Sequence, residues 1–354
     1  MSASVFDHPW LGGLFADPDM AALWSAERQL AHMLAFEAAW SRARGACGLS
    51  PAEDAEAAAR AIEGASLVSA DLAKGMGRDG VPVPVLAKLL RKGLSGPVAK
   101  AVHSGATSQD VVDTALALTL RDTTHLLLPR LEALDAALAD LSARFGTRPL
   151  MARTRMQAAT EVTVADRIRP WRQPLAGLMA RLSQAGAEAA VVQVGGASGD
   201  RGALGEQAQP MTDHIAQALG LAPAQAAWHA TRQGVVGYSD ALSLITGSLG
   251  KMGQDVALMA QQGIGTIAMS GGGGSSAMPH KQNPVAAELL VTLARFNAVQ
   301  VSAMHHALVH EQERSGSAWA LEWMVLPQMA QAAGRALTAA LTLIESVESM
   351  GDPG

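Results

Sequence analysis

Apolar residues recur at alternating spacings of three and four along three long segments of this 354-residue chain, and no other feature constrains the fold as much. A repeat of 3.5 residues places such side chains on one face of a helix, and helices of this kind pack nearly parallel in a bundle. The three stripes are Leu116, Leu120, Leu127, Leu131, Leu134, Leu138 and Leu141; Tyr238, Leu242, Ile245, Leu249, Met252, Val256 and Met259; and Ala287, Leu290, Ala294, Asn297, Val301, Met304 and Leu308. The sequence therefore predicts an all-α fold built on a bundle of long helices.

Composition supports helices and excludes several classes of function. Only 4% of the residues are aromatic, and alanine and leucine predominate, which favours helix over sheet. A net charge of −5 offers no basic surface for nucleic acid. We expect no membrane span, because no segment has about 20 uninterrupted apolar residues. Cys47 is the single cysteine and the N-terminus does not resemble a secretion signal, so we expect a reducing, cytoplasmic location.

The chain divides into two predicted domains. Residues 1–103 carry shorter amphipathic segments and are expected to form a small N-terminal helical domain. Residues 104–354 contain the three stripes and are expected to form the central bundle domain, which also carries a glycine-rich loop at 270–285.

That loop, SGGGGSSAMPHKQNPV, is the first of three polar clusters that interrupt the apolar pattern. Four consecutive glycines disfavour helix and strand and leave the backbone mobile. Two hydroxyls (Ser275 and Ser276), the ammonium of Lys281 and the amide of Asn283 follow closely. A loop of this kind can close over an anionic substrate and exclude water, although a disordered linker is the simpler interpretation.

A second cluster, HSGATSQDVVDT, spans residues 103–114. Thr107, Ser108 or Asp110 could simply cap a following helix. Capping explains one hydroxyl, but it does not explain why His103, Thr107, Ser108 and Gln109 crowd one helix start. A helix N-terminus with additional donors is suited to binding an anion.

A third cluster, MARTRMQAATEVT, spans residues 151–163. Arg153, Arg155 and Gln157 alternate, so an extended stretch would place all three on one face. Guanidinium groups bind carboxylates well, while an ordinary basic surface turn is the alternative.

Other motifs in the sequence do not indicate a nucleotide-binding site or a metal site. GIGTIA at 263–268 has no preceding strand to make it a dinucleotide site, and Lys281 is not in a P-loop context. His306 and His310 lie one turn apart, but no HExxH motif or thiolate accompanies them, so we predict no metal site.

Together the three clusters resemble the fumarase/aspartase superfamily. GSSAMPHKQNP at 274–284 is close to that superfamily's GSSxMPxKxNP motif, and GATSQDVVDT at 105–114 and RTRMQAAT at 153–160 occur in the right order. LFADPDMAALWSAERQLAHMLAFEAAW near the N-terminus and ERSGSAWALEWMVLP at 313–327 are similar to the 3-carboxy-cis,cis-muconate cycloisomerases. The resemblance covers essentially the whole chain.

The resemblance implies an architecture and an assembly. Its fold is all-α, with a small N-terminal domain, a central long-helix bundle and a small C-terminal helical domain. This chain ends about where the last domain would begin, so we expect that domain to be largely missing. The resemblance further implies a homotetramer in which each active site takes the three clusters from three different chains, and it implies no cofactor.

The resemblance also implies a reaction and the residues that perform it. A cycloisomerase of this family adds one carboxylate of 3-carboxy-cis,cis-muconate to the substrate's own alkene and forms a lactone, in the protocatechuate (β-ketoadipate) branch of aromatic-acid degradation. By family position Ser275 transfers the proton, Lys281 and Asn283 hold the adjacent carboxylate, and Thr107 and Ser108 bind another. The remaining expected substrate contacts are Arg153, Arg155, Gln157, Ser276 and Met278.

Two positions depart from the family pattern. Many of these lyases have a histidine after the RT of the arginine cluster, where this chain has Arg155, and some cycloisomerases have one after the glutamine, where it has Ala158. Either His103 supplies the acid instead or no separate acid is needed. Arg155 is expected to bind one of the three substrate carboxylates.

Three alternatives to this function remain. An adenylosuccinate-type lyase also tolerates MPHK in its loop, but Arg155 in place of the usual histidine argues against it. A muconate analogue with another anion at the 3-position is a second candidate substrate. A non-catalytic protein of the same fold, like certain lens crystallins, is the third, and the intact Ser275, Lys281 and Asn283 argue against it.

Overall fold

Long helices dominate the computed structural model, which describes residues 4–271, 273–274 and 282–352. Five of these helices form the bundle: α8 (Ser108–Phe145), α9 (Val164–Ala189), α11 (Gln233–Met259), α12 (Val285–His306) and α13 (Gly316–Glu345). The remaining helices are α1 (Gly12–Phe15), α2 (Pro18–Leu23), α3 (Ala26–Ala46), α4 (Ala52–Glu63), α5 (Ser69–Asp79), α6 (Val83–Arg91), α7 (Gly96–Ala101) and α10 (Ala208–Leu219).

The three apolar stripes form the bundle core, as predicted. All seven residues of the 238–259 stripe are buried, and so are those of the 116–141 stripe apart from the half-buried Leu116. The 287–308 stripe is buried or half-buried along α12. The pattern therefore located the long helices correctly, because the spacing of apolar side chains is a local property of the sequence.

The described residues also form four short strands, so the all-α prediction is correct for the bundle but incomplete. β1 (Pro149–Thr154) and β2 (Gln157–Thr163) form an antiparallel hairpin between α8 and α9. β3 (Ile267–Met269) pairs antiparallel with β4 (Val347–Met350), which follows α13. β3 leads into the glycine-rich loop and β4 follows the last helix, so their pairing attaches the start of the loop to the end of α13.

A second hydrophobic core lies among the N-terminal helices. It combines side chains of α3, α4 and α6 with those of the first turns of α8 and of α10. Residues on both sides of position 103 thus share this core, and the domain boundary proposed there remains a prediction.

Helix α12 is both long and apolar. By length and composition alone it could cross a membrane, yet a core helix of a soluble protein meets the same criteria. Only 28% of its most apolar stretch is buried within this chain, and two large apolar side chains of the helix are exposed, Val285 and Val299.

Candidate active site

The cluster at 103–114 forms the N-terminus of α8. Thr107 is the extended residue before the helix, and its N–H donates to Asp110 Oδ2 at 2.9 Å in a capping box. Gln109 is fully buried and its amide donates to the carbonyl of His229 at 2.9 Å, so it helps to fix the start of α8 against the chain around His229. Thr107 and Ser108 are half-buried, and as predicted they lie where a helix terminus favours an anion.

His103 precedes this helix start and pairs with a residue of α3. Its Nδ1 lies 2.6 Å from Glu37 Oε1, and its backbone has φ 57°, which is uncommon for a residue other than glycine. The imidazole is 14% exposed, so it remains reachable, whereas the Glu37 carboxylate is completely buried. The partner of His103 was not foreseen, since 66 positions separate the two residues.

Asp110 anchors a glycine loop beneath the helix start. Its Oδ1 accepts the N–H of Gly195 at 2.8 Å and lies 3.0 Å from His229 Nε2, while Oδ2 accepts the N–H of Gly196 at 3.1 Å. A Cβ on Gly195 would lie 2.5 Å from a ring carbon of His229, so only glycine fits. No local pattern in the sequence connects this loop to Asp110, since 85 positions separate Gly195 from it.

A buried ion cluster fixes α8 to α11 and α13 one turn further along. Arg232 Nη1 donates to Asp113 at 2.7 Å, and its Nε donates to Glu322 at 2.8 Å. Trp319 donates a further hydrogen bond to Asp113 at 3.0 Å. Desolvation lowers the pKa of the Arg232 guanidinium, but the two carboxylates outweigh it and raise this pKa above its usual value. The guanidinium therefore stays charged, and its hydrogen bonds hold α8 and α13 against the start of α11 beside the site.

An apolar cavity of about 270 Å³ lies beside the same end of α8. Its walls include Trp24, Met33, Val112, Leu116 and Trp323. Apolar walls cannot replace the hydration of a carboxylate. The cavity is therefore unsuited to a polyanionic substrate.

The arginine cluster forms the β1–β2 hairpin, and the prediction of one extended face was wrong. Arg155 and Met156 occupy a two-residue turn with φ 50° and 67°, which reverses the chain between Arg153 on β1 and Gln157 on β2. Within the described residues, the side chains of Arg153, Arg155 and Gln157 are exposed and have no hydrogen-bond or ionic partner. Two free guanidinium groups thus project from one end of the bundle.

The glycine-rich cluster is described only at its base. Gly273 and Asn283 exchange backbone hydrogen bonds at 3.1 and 2.9 Å, which closes the loop, and a cavity of about 300 Å³ adjoins Asn283. Ser270 before the loop donates to the carbonyl of Ser346. The other predicted residues of this cluster lie outside the described part of the chain: Ser275, Ser276, Met278 and Lys281.

The three clusters do not meet within one chain. Helix α8 contains 38 residues and is about 57 Å long; the His103 cluster precedes its first turn and the hairpin follows its last. The base of the glycine-rich loop lies at the hairpin end, since Arg144 donates to the carbonyl of Val347 on β4 and Met151 donates to Asp352 just after it. One end of the bundle carries two clusters, and the opposite end carries the third.

Among the described residues, no group of three histidine, cysteine, aspartate or glutamate side chains is arranged to hold a metal ion. His310, considered above as a metal ligand, has a fully buried ring whose Nε2 lies 3.8 Å from Glu322 Oε1. His305, which precedes His306 on α12, has its Nε2 3.1 Å from Asp240 Oδ1.

Comparison with known proteins identifies close relatives over nearly the whole chain. Residues 15–301 match the family model described as Lyase. The chain is 38% identical to a 3-carboxy-cis,cis-muconate cycloisomerase of Pseudomonas aeruginosa, over 94% of this chain and 74% of that protein.

Two solved structures have the same fold. A 3-carboxy-cis,cis-muconate lactonizing enzyme from Pseudomonas putida superposes with a TM-score of 0.87 at 33% identity, over 97% of this chain and 77% of that one. A fumarate lyase from Mesorhizobium sp. BNC1 superposes with a TM-score of 0.88 at 29% identity, over 95% of this chain and 76% of that one. These comparisons do not support the prediction that a C-terminal domain is largely missing.

Proposed function

The chain belongs to the lyase family of the fumarase/aspartase type, and from this premise we propose that it is a cycloisomerase acting on 3-carboxy-cis,cis-muconate. One carboxylate of the substrate adds to its own alkene, a proton is delivered to the neighbouring carbon, and a carboxymuconolactone forms. The observation that carries the proposal is the 38% identity to an enzyme of that name over 94% of the chain. The corresponding role in the cell is the degradation of aromatic acids through protocatechuate.

The site chemistry is consistent with this reaction. The substrate has three carboxylates, and proton transfer beside a carboxylate passes through a state of high negative charge that needs preorganised donors. The N-terminus of α8 with Thr107 and Ser108 offers one such environment, and the free guanidinium groups of Arg153 and Arg155 offer another. Since nucleophile and alkene belong to one molecule, the protein mainly fixes the substrate conformation and supplies the proton.

Ser275 is proposed as the proton-transfer residue, with Lys281 and Asn283 holding the adjacent carboxylate. A serine hydroxyl is a weak base unless its alkoxide is stabilised, and glycine-loop N–H groups with a lysine ammonium would supply that stabilisation. Ser276, Met278 and Gln157 are proposed to contact the substrate, and His103 to act as the acid. No cofactor takes part in this scheme.

The active unit is proposed to be a homotetramer in which three chains build each site. The length of α8 supports this, because the clusters at its two ends lie about 57 Å apart in one chain. Two exposed apolar side chains on the bundle helices support it too: Leu244 on α11 is 48% exposed and Val299 on α12 is 70% exposed. A second and third copy would cover these side chains and bring the separated clusters together.

A direct assay tests the function. Purified protein is mixed with 3-carboxy-cis,cis-muconate, and ultraviolet absorbance is followed as conjugation of the diene is lost. We expect turnover in the wild type and a loss of at least about a hundredfold in Ser275→Ala, with the oligomer intact by light scattering. Cleavage of adenylosuccinate without muconate turnover would identify the other lyase, and neither activity would indicate a structural role.

A further inference from the structure

Helix α3 presents one polar face to the segment that carries His103. Positions 37, 40, 41 and 44 are spaced by three, one and three residues and therefore line one side of the helix. Trp40 Nε1 and Arg44 Nη1 both donate to the carbonyl of Ser104, at 3.1 and 2.8 Å, and Ser41 Oγ donates to the carbonyl of Ala101 at 3.2 Å. Three of the four residues thus hold the backbone on either side of the histidine.

Glu37, the fourth residue of this face, binds the imidazole itself. Its Oε1 lies 2.6 Å from His103 Nδ1, and its Oε2 has no hydrogen-bond partner. A completely buried carboxylate with a single partner is an expensive arrangement for a folded chain. A purely structural residue at this position would not need a charge, so the carboxylate points to a role in what the imidazole does.

The contact determines which ring nitrogen is available. An ionised carboxylate can only accept a hydrogen bond, so the proton of the neutral ring lies on Nδ1. Nε2 has no hydrogen-bond partner among the described residues, and the ring is 14% exposed. The imidazole therefore keeps Nε2 free, four residues before the Thr107 cap at the proposed carboxylate site.

We propose that Glu37 is a positioning residue for His103. It holds the neutral imidazole in the Nδ1–H tautomer with Nε2 open to the substrate, and it stabilises the imidazolium that forms when Nε2 takes up a proton from solvent, the form in which His103 acts as the acid. The arrangement has the logic of a carboxylate that orients a catalytic histidine without contacting the substrate. The inference rests on the proposed function insofar as it predicts turnover, whereas the tautomer can be measured without any substrate.

The test compares Glu37→Gln with Ser41→Ala. Ser41 is a matched control, because it is buried on the same face of α3 and bonds the same segment without touching the ring. We expect kcat of Glu37→Gln to fall at least about tenfold with KM changed less than about twofold, while Ser41→Ala keeps both within about twofold. Equal losses in the two variants, or a Glu37→Gln variant with wild-type kcat, would overturn the proposal.

A double-mutant cycle establishes whether Glu37 acts through the histidine. In a His103→Gln background, Glu37→Gln should reduce kcat no further. An additional tenfold loss in that background would assign Glu37 a different role. Should Glu37→Gln fail to fold, Glu37→Asp keeps the charge but withdraws it from Nδ1, and it should reproduce part of the loss in kcat.

The tautomer supplies a readout that does not depend on activity. In protein labelled with ¹⁵N-histidine, the His103 resonances, assigned by their loss in His103→Gln, should show a protonated Nδ1 and an unprotonated Nε2 in the wild type. Glu37→Gln should lose this preference. A wild-type His103 protonated on Nε2 would refute the inference, and a protein that shows the Nδ1–H tautomer but does not turn over the muconate would refute only the proposed function.

Discussion

If the active site is shared between chains, two inactive variants should restore each other's activity. His103→Gln damages the cluster before α8, and Ser275→Ala damages the glycine-rich loop, whose base lies at the opposite end of that helix. The separation of about 57 Å excludes a site built from both ends of one chain. In a mixed oligomer, a site can therefore take an intact first cluster from one variant and an intact loop from the other.

The expected recovery follows from the assembly. After dissociation in mild denaturant and reassociation of an equal mixture, each cluster in a site is intact with a probability of one half. About a quarter of the sites should then have both clusters intact, so activity should rise from near zero to about a quarter of the wild-type value. The assay is the loss of diene absorbance, with native mass spectrometry of a mass-tagged variant to verify mixing.

A matched mixture controls for nonspecific recovery. Ser275→Ala and Lys281→Ala damage the same loop, so no site built from these two chains has an intact one, and their mixture should stay inactive. If the hairpin and the loop in each site come from different chains, a mixture of Arg155→Ala with Ser275→Ala should also recover about a quarter of the lost activity. Verified mixed oligomers of His103→Gln and Ser275→Ala without activity would refute the shared site.

Three further predictions concern stability. In urea unfolding, Gly195→Ala should lower the free energy of unfolding by about 1–3 kcal/mol, because its Cβ would lie 2.5 Å from the His229 ring. Gly177→Ala is the control: its Cβ would meet no atom within 4 Å, so the free energy of unfolding should stay unchanged or rise. Equal urea midpoints for the two variants would contradict this prediction. Arg232→Met should cost about 3–5 kcal/mol in the same assay by leaving two buried carboxylates without their cation, and an unchanged midpoint would show that the cluster contributes nothing. Burial raises the pKa of Asp122, but its histidine and arginine partners outweigh this and hold it below the usual value, so Asp122→Asn should cost on the order of 2 kcal/mol at pH 7. That difference should shrink as the pH falls below about 4, because the wild type then loses the contribution of the depressed carboxyl; a difference that grows towards acid would be the wrong sign.

The bundle was predictable from the sequence because helix periodicity is local. Leu127, Leu134 and Leu141 lie on one face whatever the rest of the chain does, and they are buried in the structure. The start of α8 was also predictable, since Thr107 followed three residues later by Asp110 forms a capping box.

The partners within the site were not predictable, because they are distant in the chain. Arg232 meets Asp113 across 119 positions and Glu322 across 90, and no local pattern specifies such pairs. The hairpin was missed for a different reason. Its turn has neither asparagine nor glycine, the residues that normally indicate a two-residue reversal.

That turn has a consequence for protein engineering. Arg155 and Met156 both adopt left-handed backbone conformations, which disfavour residues with a Cβ by roughly 1 kcal/mol each. A chain optimised for thermal robustness alone would place Asn-Gly there. Laboratory evolution that selects only for heat resistance should therefore replace this pair early. The resulting enzymes should have higher thermal stability but lower turnover rates, because the guanidinium of Arg155 would be lost.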